Sequence, residues 1–198
     1  MLFRSIAAFG PGSYEKPGVP QGKVSEKIVH QSKIYPGMTN DYWVYVPAQY
    51  NASTPAALMV WQDGQGYITR PGNSRLLIVL DNLMHEKKIP VAIQVFISPG
   101  MVGQRRLRSV QYDSVDDVYA RYLRDEVLKD VESKYNIRKD GYSRFIAGES
   151  SGAIRAGSKR SRSIRRPISS ANTACPDGLT VRWISRPAAN STSTSRTP

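Results

Sequence analysis

Short apolar runs separated by turn residues recur along the first three quarters of the chain. Five of them have the length and the β-branched or aromatic content of strands, at positions 23–34, 41–47, 56–61, 91–97 and 145–147. The runs at 56–61 and 91–97 are uniformly apolar, which is typical of strands that helices cover on both faces. These five segments are the predicted strands of the fold.

Two segments show apolar residues at helical spacing. The first is 75–87, which ends in a cationic turn. The second begins at Ser114, which resembles a capping box with Asp117, and extends to about Tyr135. The segment just before it, 105–113, is predicted to be a basic loop.

The predicted elements follow the order strand, strand, strand, helix, strand, helix, strand. Two buried strands separated by a helix require a crossover, so the later strands are expected to be parallel. The sequence therefore predicts an α/β domain over residues 23–152, whose sheet starts antiparallel and continues parallel. Residues 10–22 are rich in Gly and Pro, and residues 1–22 are predicted to form an irregular N-terminal arm.

Charge and composition change abruptly after Gly152. The net charge is +12 over 198 residues, but nine basic residues and only one acidic residue follow Gly152. The segment 153–198 consists mostly of Arg, Ser, Ala, Thr and Pro without an amphipathic period, so we expect a basic, irregular or disordered tail. Such a tail permits one alternative function, a non-catalytic protein that binds nucleic acid or another polyanion. No recognised nucleic-acid module accompanies the tail, which makes this alternative the weaker one.

Several kinds of site are disfavoured by composition. Cys175 is the single cysteine, so an internal disulfide or a cysteine-based metal site is excluded. No apolar run approaches the length that crosses a bilayer, and the sequence predicts a soluble protein without a membrane span, a metal or another cofactor. The apolar patch in the first ten residues is too short for a convincing secretory signal, which leaves cytoplasmic and secreted locations open.

The sequence Gly-Glu-Ser-Ser-Gly at 148–152 directly follows the last predicted strand. Glycine two residues on either side of Ser150 leaves room for a strand to turn sharply into a helix, which holds the serine hydroxyl above the sheet. This is the pattern of a nucleophile elbow. Ser150 is therefore the candidate nucleophile, and Gly148 and Gly152 are the elbow glycines.

Three further segments make the chain from about Gly18 to Gly152 resemble the enterochelin-esterase-like branch of the α/β-hydrolases. They are Asp-Tyr-Trp-Val-Tyr-Val-Pro at 41–47, Val-Trp-Gln-Asp-Gly at 60–64, and 113–122 leading into Glu126 and Tyr135. The resemblance implies a serine esterase that cleaves small-molecule esters through an acyl-enzyme on Ser150. It also implies an oxyanion hole formed by the backbone N–H of Ser151 and that of Gly64 or Gln65. The alternative for 63–66 is a plain turn.

The chain departs from this family after the elbow. The family places its catalytic acid and histidine after the nucleophile, but no histidine follows Ser150. His30 and His85 come earlier and are interpreted as ordinary surface residues, and Asp177 as a turn residue. The resemblance therefore implies a truncated α/β-hydrolase sheet and a catalytically incomplete enzyme. The abrupt change after Gly152 suggests a shifted reading frame, a hypothesis that the nucleotide sequence would test.

Arg105, Arg106 and Arg108 form a second candidate feature. Guanidinium groups pair well with carboxylates, so these residues are candidate contacts to an anionic substrate. A solvated surface loop is the alternative interpretation, and we favour it on the sequence alone.

Overall fold

The computed structural model of the protein describes residues 9–70, 72 and 74–153, together with the backbone of 173–174 and 180–181. Its strands are β1 (Lys23–Val24), β2 (Ile28–Gln31), β3 (Thr39–Val46), β4 (Ala57–Gln62), β5 (Ala92–Ile97), β6 (Met101–Val102), β7 (Arg105–Arg106), β8 (Arg144–Ala147), β9 (Thr173–Ala174) and β10 (Thr180–Val181). Its α-helices are α1 (Leu76–His85), α2 (Arg108–Tyr112), α3 (Val118–Tyr122) and α4 (Leu128–Lys134). A π-helical segment, Leu123–Val127, joins α3 to α4.

One mixed sheet organises the described chain. Its order is β7-β6-β3-β5-β4-β8, and β1 and β2 also pair with β3. β3 is antiparallel to β2 and β5, whereas β4 is parallel to both β5 and β8. The predicted α/β fold, with an antiparallel start and a parallel continuation, is confirmed. The carboxyl ends of β4, β5 and β8 therefore meet at one edge of the sheet.

Helices cover both faces of β4, which explains why its sequence is uniformly apolar. Leu58 and Val60 belong to the core cluster that includes α3 and α4, whereas Met59 and Trp61 belong to the cluster that includes α1. All four side chains are at most 3% exposed. Burial on two faces gives the parallel part of the sheet its stability and fixes the strand ends that carry the candidate site.

The prediction of a loop at 105–113 is wrong. Arg105 and Arg106 form β7, which pairs with β6, and the following residues form helix α2. The arginines are exposed or half-buried, but Gln111 and Tyr112 are only 1% and 2% exposed. These buried residues anchor the segment. The charged residues around them made the sequence resemble an exposed loop.

The long helix begins three residues later than predicted. Its N-cap residue is Asp117 rather than Ser114, and the first helical residue is Val118. The carboxylate of Asp116 accepts a hydrogen bond from the Val118 N–H at 3.0 Å. Capping therefore comes from Asp116 in this structure, so the Ser114 capping box is wrong in position.

The predicted strand at 23–34 is divided into β1 and β2. Between them, the Ser25 N–H donates to the Val44 carbonyl at 2.8 Å, and the Ser25 hydroxyl accepts from the Val44 N–H at 3.0 Å. A side chain thus replaces one main-chain acceptor of the ladder, which interrupts regular pairing along β3.

Among the described strands of the large sheet, β8 is the last in the order beside β4. Ile146 on β8 is 44% exposed. The tail predicted at 153–198 lies outside the described residues, except for Ala153 and the backbone of β9 and β10, which pair antiparallel. Of the helices that the structure describes, none is long and apolar enough to span a membrane.

Candidate active site

Ser150 occupies the turn between β8 and a new helix. Its φ angle is +52°, the left-handed region that residues with a side chain rarely adopt. The turn is closed by two hydrogen bonds of 3.0 Å, from Gly152 N–H to the Glu149 carbonyl and from Ala153 N–H to the Ser150 carbonyl. Residues 151–153 then start a helix. The geometry is that of a sharp strand-to-helix turn with serine at its strained position.

The two elbow glycines pack tightly against neighbouring atoms. A Cβ atom on Gly148 would lie 2.9 Å from the carbonyl carbon of Gly152 and 3.2 Å from Cβ of Gln62. A Cβ atom on Gly152 would lie 3.3 Å from the same Gln62 atom. The two glycines therefore allow the elbow to close on itself and on the end of β4.

The loop after β4 lies at the same sheet edge as the elbow, because β4 and β8 run parallel with Trp61 paired to Ala147. The loop forms a 3-10 turn over Gly64–Gly66. The bonds that close this turn are donated by Gly66 and Tyr67, so they leave the amides of Gly64 and Gln65 unused within it. A Cβ atom on Gly64 would lie 2.5 Å from backbone atoms of β5, so only glycine fits there.

A side-chain hydrogen bond joins this loop to the elbow. The Tyr67 hydroxyl donates to Oε1 of Glu149, the residue before Ser150, at 3.1 Å. Burial and the neighbouring Glu149 carboxylate raise the pKa of Tyr67, which keeps it a protonated donor. The structure thus ties the two predicted halves of the oxyanion hole to each other through their flanking residues.

The arginines at 105, 106 and 108 do not form a plain solvated loop. Arg108 donates to both carboxylate oxygens of Asp63, with its Nε 3.0 Å from each and one Nη atom 2.7 Å from Oδ2. Arg106 is more exposed, and its Nη2 lies 3.4 Å from Oδ1 of Asp63. Arg105 is exposed on β7. Contact of these arginines with a substrate stays a prediction.

Neither histidine is placed beside the elbow. His30 is on β2, and the order β2-β3-β5-β4-β8 puts four strand spacings, roughly 19 Å, between β2 and β8. Its Nε2 lies 2.9 Å from Oε2 of Glu126, and the side chain is 22% exposed. His30 is thus a half-buried, paired residue away from the elbow, and His85 is exposed at the end of α1.

Three residues around the elbow were missed by sequence reasoning. They are Gln62, Asp63 and Tyr67, which contact or flank the elbow from the β4 end. Gln62 is fully buried, and its side-chain nitrogen and oxygen have no hydrogen-bond partner among the described residues. A polar residue at the end of an apolar strand was the available signal for Gln62.

The described part of the chain holds no group of three or more His, Cys, Asp or Glu side chains arranged to bind a metal ion. The elbow offers a serine hydroxyl, and the neighbouring loop offers backbone N–H donors. This set suits acyl transfer, in which negative charge develops on a carbonyl oxygen.

A family model described as "Putative esterase" matches residues 37–156. The match covers more than half of the chain and includes β3, β4, the long helix and the elbow. The chain belongs to this family. Ester hydrolysis is therefore the chemistry that family membership supports. A search of curated protein sequences finds no match.

Solved structures of esterases share the fold of this family member. The ferulic acid esterase of the anaerobic fungus Anaeromyces mucronatus has a TM-score of 0.57 at 17% identity, with 73% of this chain and 55% of that chain covered. The Shigella flexneri enterobactin esterase has a TM-score of 0.55 at 18% identity, over 72% of this chain and 34% of that one. A feruloyl esterase module from Clostridium thermocellum has a TM-score of 0.53 at 18% identity, over 75% and 51%. The chain thus spans about a third to a half of these esterases.

Proposed function

We propose that this family member is a serine carboxylic-ester hydrolase with Ser150 as its nucleophile, and that these 198 residues form a catalytically incomplete enzyme. The observation that supports Ser150 most is its φ of +52° between two tightly packed glycines, where an added Cβ atom would lie 2.9 Å (Gly148) or 3.3 Å (Gly152) from its nearest neighbour. Strain of this kind in a residue with a side chain is kept where the position of that side chain has a use.

In the proposed reaction, Oγ of Ser150 attacks the carbonyl carbon of the ester while its proton passes to a general base. The bond to the alcohol oxygen then breaks, the alcohol leaves with that proton, and water later releases the acid from the acyl-enzyme. The oxyanion would accept hydrogen bonds from the backbone N–H of Ser151 and from that of Gly64 or Gln65. The position of both loops at one sheet edge supports this assignment.

Incompleteness follows from the missing base. Both histidines precede the elbow in the sequence. His30 is hydrogen-bonded to Glu126, and its strand β2 is separated from β8 by three strands. A triad that has lost a member retains only about 10³–10⁴-fold catalysis over water, from binding and the oxyanion hole. We therefore expect little or no turnover of short acyl esters, and little labelling of Ser150 by an organophosphonate.

Chemical rescue tests both parts of the proposal. Added imidazole supplies the base, and hydrolysis of p-nitrophenyl acetate is compared between the wild-type chain and Ser150→Ala at each imidazole concentration. Methyl ferulate is a second reporter, because two of the neighbours are named for ferulic acid or feruloyl esters. Subtracting the Ser150→Ala rate removes the reaction of imidazole itself with the ester.

A rate that rises with imidazole only when Ser150 is present supports the nucleophile and the missing base. Equal rates for the two chains at every imidazole concentration would overturn the assignment of Ser150. Fast hydrolysis without imidazole that is lost in Ser150→Ala would show instead that the chain carries its own base, and incompleteness would be wrong.

A further inference from the structure

Asp63, immediately before the proposed oxyanion loop, has a left-handed backbone. Its φ and ψ angles are +53° and +34°. For a residue with a side chain, this conformation costs roughly 1–2 kcal/mol relative to the right-handed region. Neighbouring contacts have to offset that cost, and the contacts that do so also determine where the next two amides point.

Helix α2 holds Asp63 at both its side chain and its backbone. Arg108 donates to both carboxylate oxygens over 2.7–3.0 Å, which is a bidentate, charge-assisted contact. The hydroxyl of Tyr112 accepts a hydrogen bond from the Asp63 N–H at 3.3 Å. Arg108 and Tyr112 are four residues apart and so lie on one face of the helix.

The pair is itself fixed in place. The guanidinium of Arg108 lies over the Tyr112 ring, with 5.2 Å between its central carbon and the ring centroid. Burial, together with the nearby charge of Asp63, raises the pKa of Tyr112 to about 12, so its hydroxyl stays neutral. Hydrogen bonding to Asp63 raises the pKa of Arg108. The Gly100 N–H donates to the buried side chain of Gln111 at 2.8 Å, which anchors α2 to the turn between β5 and β6.

We propose that Arg108 and Tyr112 are positioning residues that grip Asp63 and thereby aim the amides of Gly64 and Gln65 at the ester oxygen. This inference rests on the proposed esterase function. It also excludes the Asp63 N–H as a donor to the oxyanion, because this N–H is hydrogen-bonded to the Tyr112 hydroxyl. Gly64 and Gln65 are then the donors that this loop supplies. In this role Arg108 uses Nε and one Nη atom to hold Asp63.

The test uses the full chain and four variants: Arg108→Ala, Arg108→Lys, Tyr112→Phe and the control Arg121→Ala. Arg121 forms an exposed ion pair with Asp117 at 3.2 Å on α3, so its loss removes a similar contact elsewhere. The first measurement is hydrogen exchange at the amides of Gly66 and Tyr67, whose bonds close the loop. The second is the rate at which a fluorophosphonate labels Ser150 in imidazole buffer.

We expect Arg108→Ala to speed exchange at these two amides by about tenfold or more, because a charge-assisted contact is lost. Labelling of Ser150 should slow by a similar factor as donors shift away from the developing oxyanion. Lysine keeps the charge but not the fork, so Arg108→Lys should recover part of both effects. Tyr112→Phe should speed exchange by less, and Arg121→Ala should change neither.

Unchanged exchange in Arg108→Ala would overturn the grip on Asp63. Faster exchange with unchanged labelling would overturn the positioning role and leave a purely structural contact. If no chain is labelled, wild type included, the esterase proposal fails, and the exchange data still decide whether Arg108 orders the loop. If Arg108→Ala does not fold, exchange and labelling in Arg108→Lys are compared with those of wild type instead.

Discussion

Two regions of the sheet differ in whether their buried polar side chains have hydrogen-bond partners. Beside β2 and β3, the carboxylate of Glu126 accepts hydrogen bonds from His30 Nε2 at 2.9 Å and from the amides of Lys33 and Ile34 at 2.9 and 2.8 Å. None of these residues has a left-handed backbone. This region satisfies its buried carboxylate fully, as a structural contact should.

The edge at β4 and β8 is built differently. It contains two of the four non-glycine residues with positive φ in the described part of the chain, Asp63 and Ser150. It also contains Gln62, whose buried amide has no partner among the described residues. Strain and unsatisfied polar groups both reduce stability, and at this edge they occur beside the proposed nucleophile.

The largest expected effect on stability comes from removing the carboxylate of Glu126, the hydrogen-bonded group beside β2 and β3. Glu126→Ala removes an acceptor that is only 9% exposed and leaves His30 and two amides without it. We expect the free energy of unfolding, measured by urea denaturation, to fall by about 3 kcal/mol. Glu26→Ala, at an exposed position, is the control and should change it by less than about 0.5 kcal/mol. Equal losses in the two variants would contradict a structural role for Glu126.

The elbow should be sensitive to a single added methyl group. Gly148→Ala would place Cβ 2.9 Å from the backbone of Gly152, so the turn must shift, and we expect a loss of about 1–3 kcal/mol. Gly141→Ala is the matched control, because a Cβ atom there meets nothing within 4 Å. The same urea titration measures both. If the two variants lose equal stability, the close packing of the elbow is wrong.

Much of the fold could be predicted because burial leaves a local pattern. The apolar runs of β4 and β5 indicated a parallel sheet, and the glycine spacing around Ser150 indicated the elbow. The grip of α2 on Asp63 and the pairing of His30 with Glu126 could not be predicted. These contacts join residues 45 and 96 positions apart, and nothing in the local sequence of Arg108 or His30 specifies such partners.

Acid should weaken the region around Glu126 in a specific direction. Burial disfavours the charged form of this carboxyl, but hydrogen bonds from His30, Ser32 and backbone amides outweigh it and lower the pKa in the folded state. A lowered pKa contributes stability above the unfolded value of about 4.3, and this stability is lost as pH falls through the folded value. Glu126→Gln should therefore show a shallower decline of unfolding free energy between about pH 5 and pH 3 than wild type. Parallel declines would mean that Glu126 titrates as it does in the unfolded chain.

Two buried glutamines on adjacent parallel strands test the unsatisfied amide beside the elbow, and Gln62→Met carries the smallest expected effect. Gln94 on β5 accepts a hydrogen bond from Trp61 Nε1 at 2.8 Å and donates to the Ala92 carbonyl at 3.0 Å. Gln62 on β4 is equally buried, at 0% exposure, without such partners among the described residues. Methionine has a volume similar to that of glutamine and needs no hydrogen-bond partner. Replacing glutamine by methionine therefore removes the amide with little change in packing.

Gln94→Met should lower the free energy of unfolding by about 1–3 kcal/mol, since it strands the indole N–H of Trp61. Gln62→Met should leave it unchanged or raise it by up to about 1 kcal/mol, because an unpaired amide leaves the core. Urea denaturation of the two variants and wild type measures the difference. A loss of stability in Gln62→Met would reveal a partner for this amide, and the edge beside the elbow would then be as fully satisfied as the region around Glu126.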